Sequence, residues 1–234
     1  MKIYNNQKLI KKRKILSQVI LYFSMAMLTL GFLWSLSDSN KSQLTYAYLI
    51  LIPAYLLVQV SIYMANKWGR SPRPDEIVAS SLKGLNNQYT LYNYMTDVPH
   101  LLIGPAGVYL ILPYYHSGTI SYNTEKQRYQ QKGGPGFFTR TFAQEGIPSI
   151  EKEDKDLIKD YQNYLQKNKL TINADPQVVN LFYSEKVELH TDNAPVINLT
   201  PDKFKDVLRQ NAKKNILTDA DIKQITDRLP ISTE

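Results

Sequence analysis

The sequence predicts two transmembrane helices followed by an α/β (α+β) domain with a mixed sheet and flanking helices. Three observations support this fold class. Two uncharged runs of 22 residues lie near the amino terminus. Short apolar runs bounded by turn residues recur between residues 89 and 199, and amphipathic segments surround them. With 234 residues, the chain is long enough for one ordinary domain and a smaller appendage.

The two uncharged runs cover residues 15–36 and 44–65. As a helix, each would be roughly 33 Å long, which matches the core of a bilayer. We therefore predict two transmembrane helices joined by an external loop at residues 37–43. Buried core helices are the alternative, although uncharged runs of about 18 residues are rare in soluble cores. A cleaved signal peptide is a less suitable interpretation of the first run, because the second uncharged run begins shortly after the first one ends.

Positive charge is concentrated beside the two runs. Residues 1–73 contain ten Lys and Arg and one Asp, whereas residues 74–234 contain eighteen Lys and Arg and twenty Asp and Glu. Because Lys and Arg near the ends of spans stay on the cytoplasmic side, the basic segment 1–14 and the linker 66–73 are predicted to be cytoplasmic. The chain is thus expected in the inner or plasma membrane as a multi-pass protein with both termini cytoplasmic. Its basic flanks would be attracted to the lipid bilayer.

The soluble domain is predicted to cover residues 74–230, beginning with a helix at Asp75 and Glu76, because acids suit the positive end of a helix dipole. The chain has no Cys, which excludes disulfides and thiolate chemistry. The predicted strands cover residues 89–96, 98–112 as a hairpin, 118–122, 127–131, 178–183, 187–190 and 196–199. Later helices are predicted after three start signals: Ser149 as a cap, Thr200 before Pro201, and the capping box Thr218-x-x-Asp221.

The hairpin of residues 98–112 carries a family motif in its turn, Gly104-Pro-Ala-Gly107. It resembles the nuclease-related domain called NERD, a branch of the PD-(D/E)XK nucleases. In that family the first strand opens Asp-His-Leu-Val, the turn is Gly-Pro-x-Gly-Val, and the second strand ends Ile-Glu-x-Lys before Ser-Gly. The matching residues are His100, Gly104, Pro105, Gly107, Val108, Ile111, Ser117 and Gly118.

The resemblance implies a restriction-endonuclease-like domain that acts on DNA, and some members of the family are attached to membranes. The family's Asp and Glu hold a divalent cation and its Lys assists the attacking water. In this chain those three positions are Pro99, Leu112 and Tyr114. The loss of one electrostatic group alone typically costs about 10²-fold to 10³-fold in rate. We therefore expect an inactive site, a pseudoenzyme that needs no metal or other cofactor.

Two acids are candidates to replace the missing ligands. Asp97 precedes the Pro99 position by two residues, and Glu76 matches a Glu often found in the family's opening helix. If both reached the site, Mg²⁺ or Mn²⁺ would be the expected cofactor. Asp97 is more simply interpreted as a turn acid. The three histidines, His100, His116 and His190, lack helix-face metal spacing and are expected to be structural.

A basic cluster is the candidate for binding nucleic acid without cleavage. It consists of Arg128, Lys132 and Arg140 around the loop 132–136, with aromatic neighbours able to stack on bases. Those neighbours are Tyr129, Phe137 and Phe138. The loop lacks the Lys-Ser/Thr and the helix of a phosphate-binding P-loop. An ordinary turn with core aromatics is the alternative interpretation.

Three functional hypotheses follow. In the first, the chain is a membrane-anchored cytoplasmic NERD-like module that binds or scaffolds an unknown cytoplasmic protein or nucleic acid without catalysis. In the second, it is a metal-dependent nuclease acting on DNA with relocated ligands. In the third, the helical hairpin forms a homo-oligomer that recruits the domain to the membrane.

Overall fold

A computed structural model describes residues 1–36, 41–134, 136, 147–170, 172 and 174–231, with no description of the side chains at 41–44. Within these residues, the chain forms two compact units. One unit, here called the hairpin unit, covers residues 8–73. The other, the sheet unit, contains residues 1–7 and the described part of 74–231. Residues 37–40 of the predicted external loop lie outside the described residues.

The hairpin unit contains two long helices, α1 (Gln7–Leu36) and α2 (Lys41–Met64), and a π-helical turn at Ala65–Gly69. Helix α1 begins eight residues before the uncharged run, so the basic segment is largely helical. Both helices are long and apolar enough to cross a membrane, with mean hydropathies of 1.9 and 1.8 in their most apolar windows. The two predicted apolar helices are therefore present.

Small residues seven positions apart form the seam between α1 and α2. The buried seam residues are Ser17, Ser24 and Gly31 on α1, and Ala47, Ala54 and Ser61 on α2. The Ser61 hydroxyl donates to the Ser17 carbonyl at 3.1 Å, and a Cβ at Gly31 would come within 3.0 Å of Leu51. A seven-residue repeat keeps one stripe of a helix against its partner. The two helices therefore pack as an antiparallel hairpin through small side chains.

Large apolar side chains cover the outside of the hairpin unit. Examples are Phe23 (59% exposed), Leu30 (62%), Trp34 (52%), Leu49 (64%) and Tyr63 (57%). Only 11% and 22% of the residues in the two most apolar windows are buried. Core helices of a soluble domain would be mostly buried, so this exposure does not fit that alternative.

The sheet unit is built on a six-stranded mixed sheet. In spatial order its strands are β1 (Lys2–Asn5), β2 (Thr90–Asn93), β3 (His100–Gly104), β4 (Gly107–Tyr114), β7 (Gln177–Phe182) and β9 (Ile197–Leu199). Strands β2, β3 and β4 are antiparallel neighbours. The pairs β1–β2, β4–β7 and β7–β9 are parallel. The predicted mixed sheet is confirmed.

A second, three-stranded sheet follows the hairpin of β3 and β4. Its order is β6 (Arg128–Lys132), β5 (Gly118–Asn123) and β8 (Val187–His190). Strand β5 is antiparallel to β6 and parallel to β8. The later strands thus divide between the two sheets, because β8 pairs with β5 while β7 and β9 extend the large sheet.

Four helices of the sheet unit flank the large sheet: α3 (Pro74–Ser81), α4 (Ile150–Lys167), α5 (Pro201–Ala212) and α6 (Asp219–Thr226). One face of β4, with Tyr109 and Ile111, packs with α3 and α5. The opposite face, with Leu110, packs with α4 and α6. A third apolar cluster joins β4 to the small sheet through Tyr114, Ile120, Tyr129, Ile150 and Phe182.

The helix start signals have mixed outcomes. The predicted capping box is confirmed, because the Asp221 amide donates to the Thr218 hydroxyl and the Thr218 amide donates to the Asp221 carboxylate. Ser149 and Thr200 precede their helices as predicted, but neither side chain makes a capping hydrogen bond. Strand β1 was not predicted, because four residues in a basic segment give no clear strand signal.

Candidate functional site

The three positions that the sequence resemblance singles out, Pro99, Leu112 and Tyr114, lie at one end of β3 and β4. Pro99 directly precedes β3 and is half-buried, and its carbonyl accepts a hydrogen bond from the Tyr94 amide at 2.7 Å. Leu112 and Tyr114 lie near the carboxyl end of β4. Because alternate residues of a strand share a face, these two side chains are on the same side of the sheet.

Leu112 occupies apolar surroundings. It is half-buried and packs against the cluster that contains Leu110 and Leu157 and against the cluster that contains Ile120 and Phe182. Burying a carboxylate among such groups is costly unless a partner is supplied. The surroundings of this position suit the Leu that is present.

Tyr114 is buried, and its polar atom is already engaged. Its hydroxyl donates to Glu153 Oε2 at 2.6 Å, and its ring stacks on Phe182 with 5.4 Å between ring centroids. Burial, and then the hydrogen bond to the Glu153 carboxylate, raise the pKa of this phenol above its ordinary value. Tyr114 therefore remains a neutral donor and supplies no positive charge.

A buried polar cluster lies beside these positions and consists of Tyr129, Asp154, Asn180 and Asn198. Asn180 lies opposite Leu112 on β4 and opposite Asn198 on β9. Its Nδ2 donates to Asp154 Oδ2 at 3.3 Å and to Asn198 Oδ1 at 3.2 Å. The Tyr129 hydroxyl also donates to Asn198 Oδ1, at 3.1 Å. The polar cluster thus connects α4, the large sheet and the small sheet.

The protonation state of Asp154 affects the hydrogen bonding of the buried atoms in the polar cluster. Asp154 is 5% exposed and Asn180 is fully buried, and the Oδ1 atoms of both have no hydrogen-bond partner among the described residues. Burial raises the pKa of Asp154 to about 7, with smaller contributions from Glu153 and Glu151, against a lowering effect of the Asn180 amide. A proton on Asp154 would make one carboxyl oxygen a hydrogen-bond donor and would remove the cost of burying a negative charge.

His100 links three strands by hydrogen bonds. Its Nδ1 lies 2.8 Å from Asn93 Oδ1, and the Nδ2 of Asn93 donates to Asn5 Oδ1 at 2.7 Å. Since an amide oxygen only accepts, we assign the proton to Nδ1 of His100. The imidazole is 1% exposed, so His100 has the buried, hydrogen-bonded environment expected of a structural histidine.

The two acids considered as replacement ligands lie in different segments of the sheet unit, one in a helix and one in a loop. Glu76 is in the first turn of α3 and is half-buried. Asp97 is exposed in the loop before β3, and its charge contributes, after burial, to the raised pKa of Tyr164 on α4. Among the residues that the structure describes, no group of three or more His, Cys, Asp or Glu could hold a metal ion.

The basic binding candidates lie at the ends of β6. Arg128 and Lys132 are both exposed, whereas Arg140 lies outside the described residues, as do Phe137 and Phe138. Tyr129 is 7% exposed and its hydroxyl is bound to Asn198. Tyr129 is therefore a core residue and does not offer its ring to a base.

The sequence did not predict the polar cluster, and neither Asp154 nor Asn180 is among the site residues expected from it. One signal was available: Asn180 interrupts the apolar run Val178-Val-Asn-Leu-Phe182, and a polar residue inside a fully buried strand requires partners. The identity of those partners depends on contacts between residues distant in sequence.

The fold and its site define a mixed α/β unit joined to a pair of long apolar helices. Comparison of the chain with protein-family models, curated proteins and solved structures found no match in any of the three.

Proposed function

We propose that this chain is a membrane-anchored cytoplasmic module that binds or scaffolds a partner and is built on a degenerate NERD-like, restriction-endonuclease-like domain. The observation that supports the proposal most directly is the environment of the side chains at Leu112 and Tyr114. One is apolar and packed among apolar side chains, and the other is a buried phenol bound to Glu153. Neither position offers the carboxylate or the cation that metal-assisted phosphodiester cleavage requires.

The glycines of the motif have structural reasons that are independent of catalysis. A Cβ at Gly104 would lie 2.2 Å from the Tyr89 ring, and Gly107 has a φ of +113°. Both features favour glycine strongly, since it lacks a Cβ and tolerates positive φ. A turn of this kind can be retained for folding after the chemistry is lost, which is consistent with a pseudoenzyme.

The packing of the hairpin unit supports a membrane anchor. Its seam is made of small residues and its outer surface of large apolar ones. Transmembrane helices associate through small side chains and turn their large apolar groups toward lipid. The proposal therefore assigns the outer surface of α1 and α2 to the bilayer.

Strand pairing supports a topology with both flanks of the hairpin on one side. Strand β1 precedes α1, and β2 follows α2, yet Lys2 to Asn5 pair in parallel register with Thr90 to Asn93. Two strands of one sheet lie in the same compartment. If both helices cross the membrane, the chain must leave and return on one side, and the charge of segment 1–14 favours the cytoplasm.

A cleavage assay tests the catalytic part of the proposal. The purified full chain in detergent is incubated with plasmid and with single-stranded DNA, with Mg²⁺, Mn²⁺ or a chelator. We expect no cleavage above the chelator control. Metal-dependent cleavage that Asp97→Asn or Glu76→Gln abolishes, and that the exposed-acid control Asp192→Asn preserves, would overturn the proposal. It would establish the nuclease with relocated ligands.

Single cysteines test the topology, because the chain has no native Cys. Gln7→Cys and Lys126→Cys are placed at exposed positions of the sheet unit, and Ser37→Cys lies in the predicted external loop. In intact cells a membrane-impermeant maleimide should label only position 37, and permeabilisation should expose the other two. Equal labelling of all three positions would contradict the anchor.

The proposed partner is a cytoplasmic protein or a nucleic acid. If it is a nucleic acid, Arg128 and Lys132 are the exposed cations of β6 that would meet its phosphates. Binding of labelled DNA or RNA by the full chain should then weaken as salt rises and in Arg128→Gln/Lys132→Gln. Binding that is unchanged both by salt and by the double substitution would favour a protein partner.

A further inference from the structure

Seven basic residues of the hairpin unit lie at one end of it. Antiparallel packing sets Ser17 opposite Ser61, with the Cβ position of Gly69 4.0 Å from the Ser17 hydroxyl, whereas Gly31 packs on Leu51. The start of α1 and the segment after α2 therefore lie at the same end. The cations at this end are Lys8, Lys11, Lys12, Arg13, Lys14, Lys67 and Arg70.

These seven residues are here called the basic collar. The described part of residues 8–73 contains no Asp or Glu. The five cations of α1 are all exposed, while Ile10 between them is buried. The helical spacing of Lys8, Lys11 and Lys12 puts these three on one face of α1. The collar thus presents concentrated positive charge to its surroundings.

The collar continues directly into apolar surface. Helix α1 runs without a break from Gln7 to Leu36, so its cations and the exposed Ile15 and Val19 belong to one rigid rod. At the same end Lys67 lies 5.8 Å from the centroid of the Trp68 ring. A ligand that matches both surfaces has an anionic head and an apolar tail. Nucleic acids and free phosphate have only the first of these.

We propose that the basic collar binds the headgroups of anionic phospholipids, so that the hairpin selects a shell of anionic lipid at its cytoplasmic end. This inference depends on the proposed membrane anchoring and names the lipid class it prefers. Juxtamembrane cations each gain about 1 kcal/mol near an anionic surface, equivalent to roughly fivefold in selectivity. The opposite end, with Lys41 and Asp38 in sequence, has no comparable charge.

The two tryptophans permit a test with matched reporters. Trp68 lies at the collar end and Trp34 near the opposite end of the hairpin. Full-length Trp34→Phe and Trp68→Phe variants each keep one reporter. Both are reconstituted into bilayers that contain brominated phosphatidylglycerol or brominated phosphatidylcholine, and quenching of tryptophan fluorescence is measured.

We expect stronger quenching of Trp68 by the anionic lipid than by the neutral lipid, and equal quenching of Trp34. The preference should fall at least about fivefold in Lys8→Gln/Lys11→Gln/Lys12→Gln and should weaken as salt rises. The control variant Lys203→Gln/Lys213→Gln/Lys214→Gln removes three exposed cations from the sheet unit. It should retain the preference.

Each contrary outcome has a separate meaning. Equal quenching of Trp68 by both lipids would overturn the lipid inference while leaving membrane anchoring intact. No quenching of either tryptophan would contradict the anchoring itself. If the Lys8, Lys11 and Lys12 variant loses binding of a DNA oligonucleotide in detergent but keeps its lipid preference, the collar serves nucleic acid and the proposal is wrong.

Discussion

The seam of the hairpin unit and the core of the sheet unit contain opposite kinds of side chain. In the seam the buried positions hold Ser24, Gly31 and Ala54, and rings such as that of Phe23 face outward. In the sheet unit the fully buried positions include Tyr109 and Phe204. Burial of large apolar groups drives folding in water, whereas helices in lipid gain little from it and pack closely through small residues. One chain therefore follows two packing rules.

Truncating a large aromatic side chain should show the largest difference in stability effect between the two units. Phe204→Ala in the sheet unit is expected to cost about 3–5 kcal/mol, because it loses apolar burial and leaves a cavity. Phe23→Ala in the hairpin unit removes the same ring from an exposed position. In detergent it should leave thermal unfolding nearly unchanged. Equal losses in the two variants would show that the outer face of the hairpin is buried by protein.

The same contrast explains which elements were predictable. Uncharged runs identify both helices of the hairpin unit, and the capping box identifies α6, because these signals are local. Strand β1 has only four residues, and its partner β2 begins more than eighty residues later, so no local pattern reveals it. Strand β8 joins the small sheet, whereas β7 and β9 join the large one. This assignment also depends on pairing between strands that are distant in sequence.

The candidate site was predictable only at the positions of the motif. Pro99, Leu112 and Tyr114 are singled out only by the sequence resemblance of the hairpin. The contact of Tyr114 with Glu153 joins residues 39 apart, and that of Asn180 with Asp154 joins residues 26 apart. These pairs form only when α4 packs on the sheet. A burial pattern predicts that Asn180 needs a partner but does not identify Asp154.

The buried acid of the sheet unit should make its stability depend on pH. The pKa of Asp154 is raised to about 7 from an ordinary value of 3.8, so the folded state holds this proton more tightly than the unfolded chain does. The stabilisation is complete below pH 4 and is lost as the pH rises through 7. The free energy of unfolding should fall by up to about 1.4 kcal/mol per pH unit in that window.

Asp154→Asn provides the variant for this prediction. An amide at position 154 can donate to Asn180 and does not titrate. The pH dependence of the free energy of unfolding that Asp154 causes should therefore disappear, and stability at pH 8 should rise. Denaturant titrations at several pH values measure it, and the exposed Asp156→Asn serves as the control. An unchanged slope in Asp154→Asn would assign the pH dependence to other groups. The serines of the hairpin seam do not titrate. The stability of the hairpin unit should therefore not show this dependence on pH.

Enlarging a seam residue should damage only the hairpin unit. Ala54→Leu adds a larger side chain at a fully buried position, and overpacking of this kind costs about 1–3 kcal/mol. Ala26→Leu makes the same change at an exposed position of α1 and should be neutral. Thermal unfolding in mild detergent distinguishes them. If Ala54→Leu is also neutral, the two helices do not pack through the small-residue seam.

The smallest effect is expected at Tyr114, near the carboxyl end of β4. Tyr114→Phe keeps the ring on Phe182 and removes only the hydroxyl that donates to Glu153, so the loss should be about 1 kcal/mol. Glu153→Gln retains an acceptor and should cost less. Both changes should leave binding of a partner intact if this end of β4 serves only to hold α4 on the sheet. A variant that folds normally but loses its partner would show that Tyr114 lies in a functional surface.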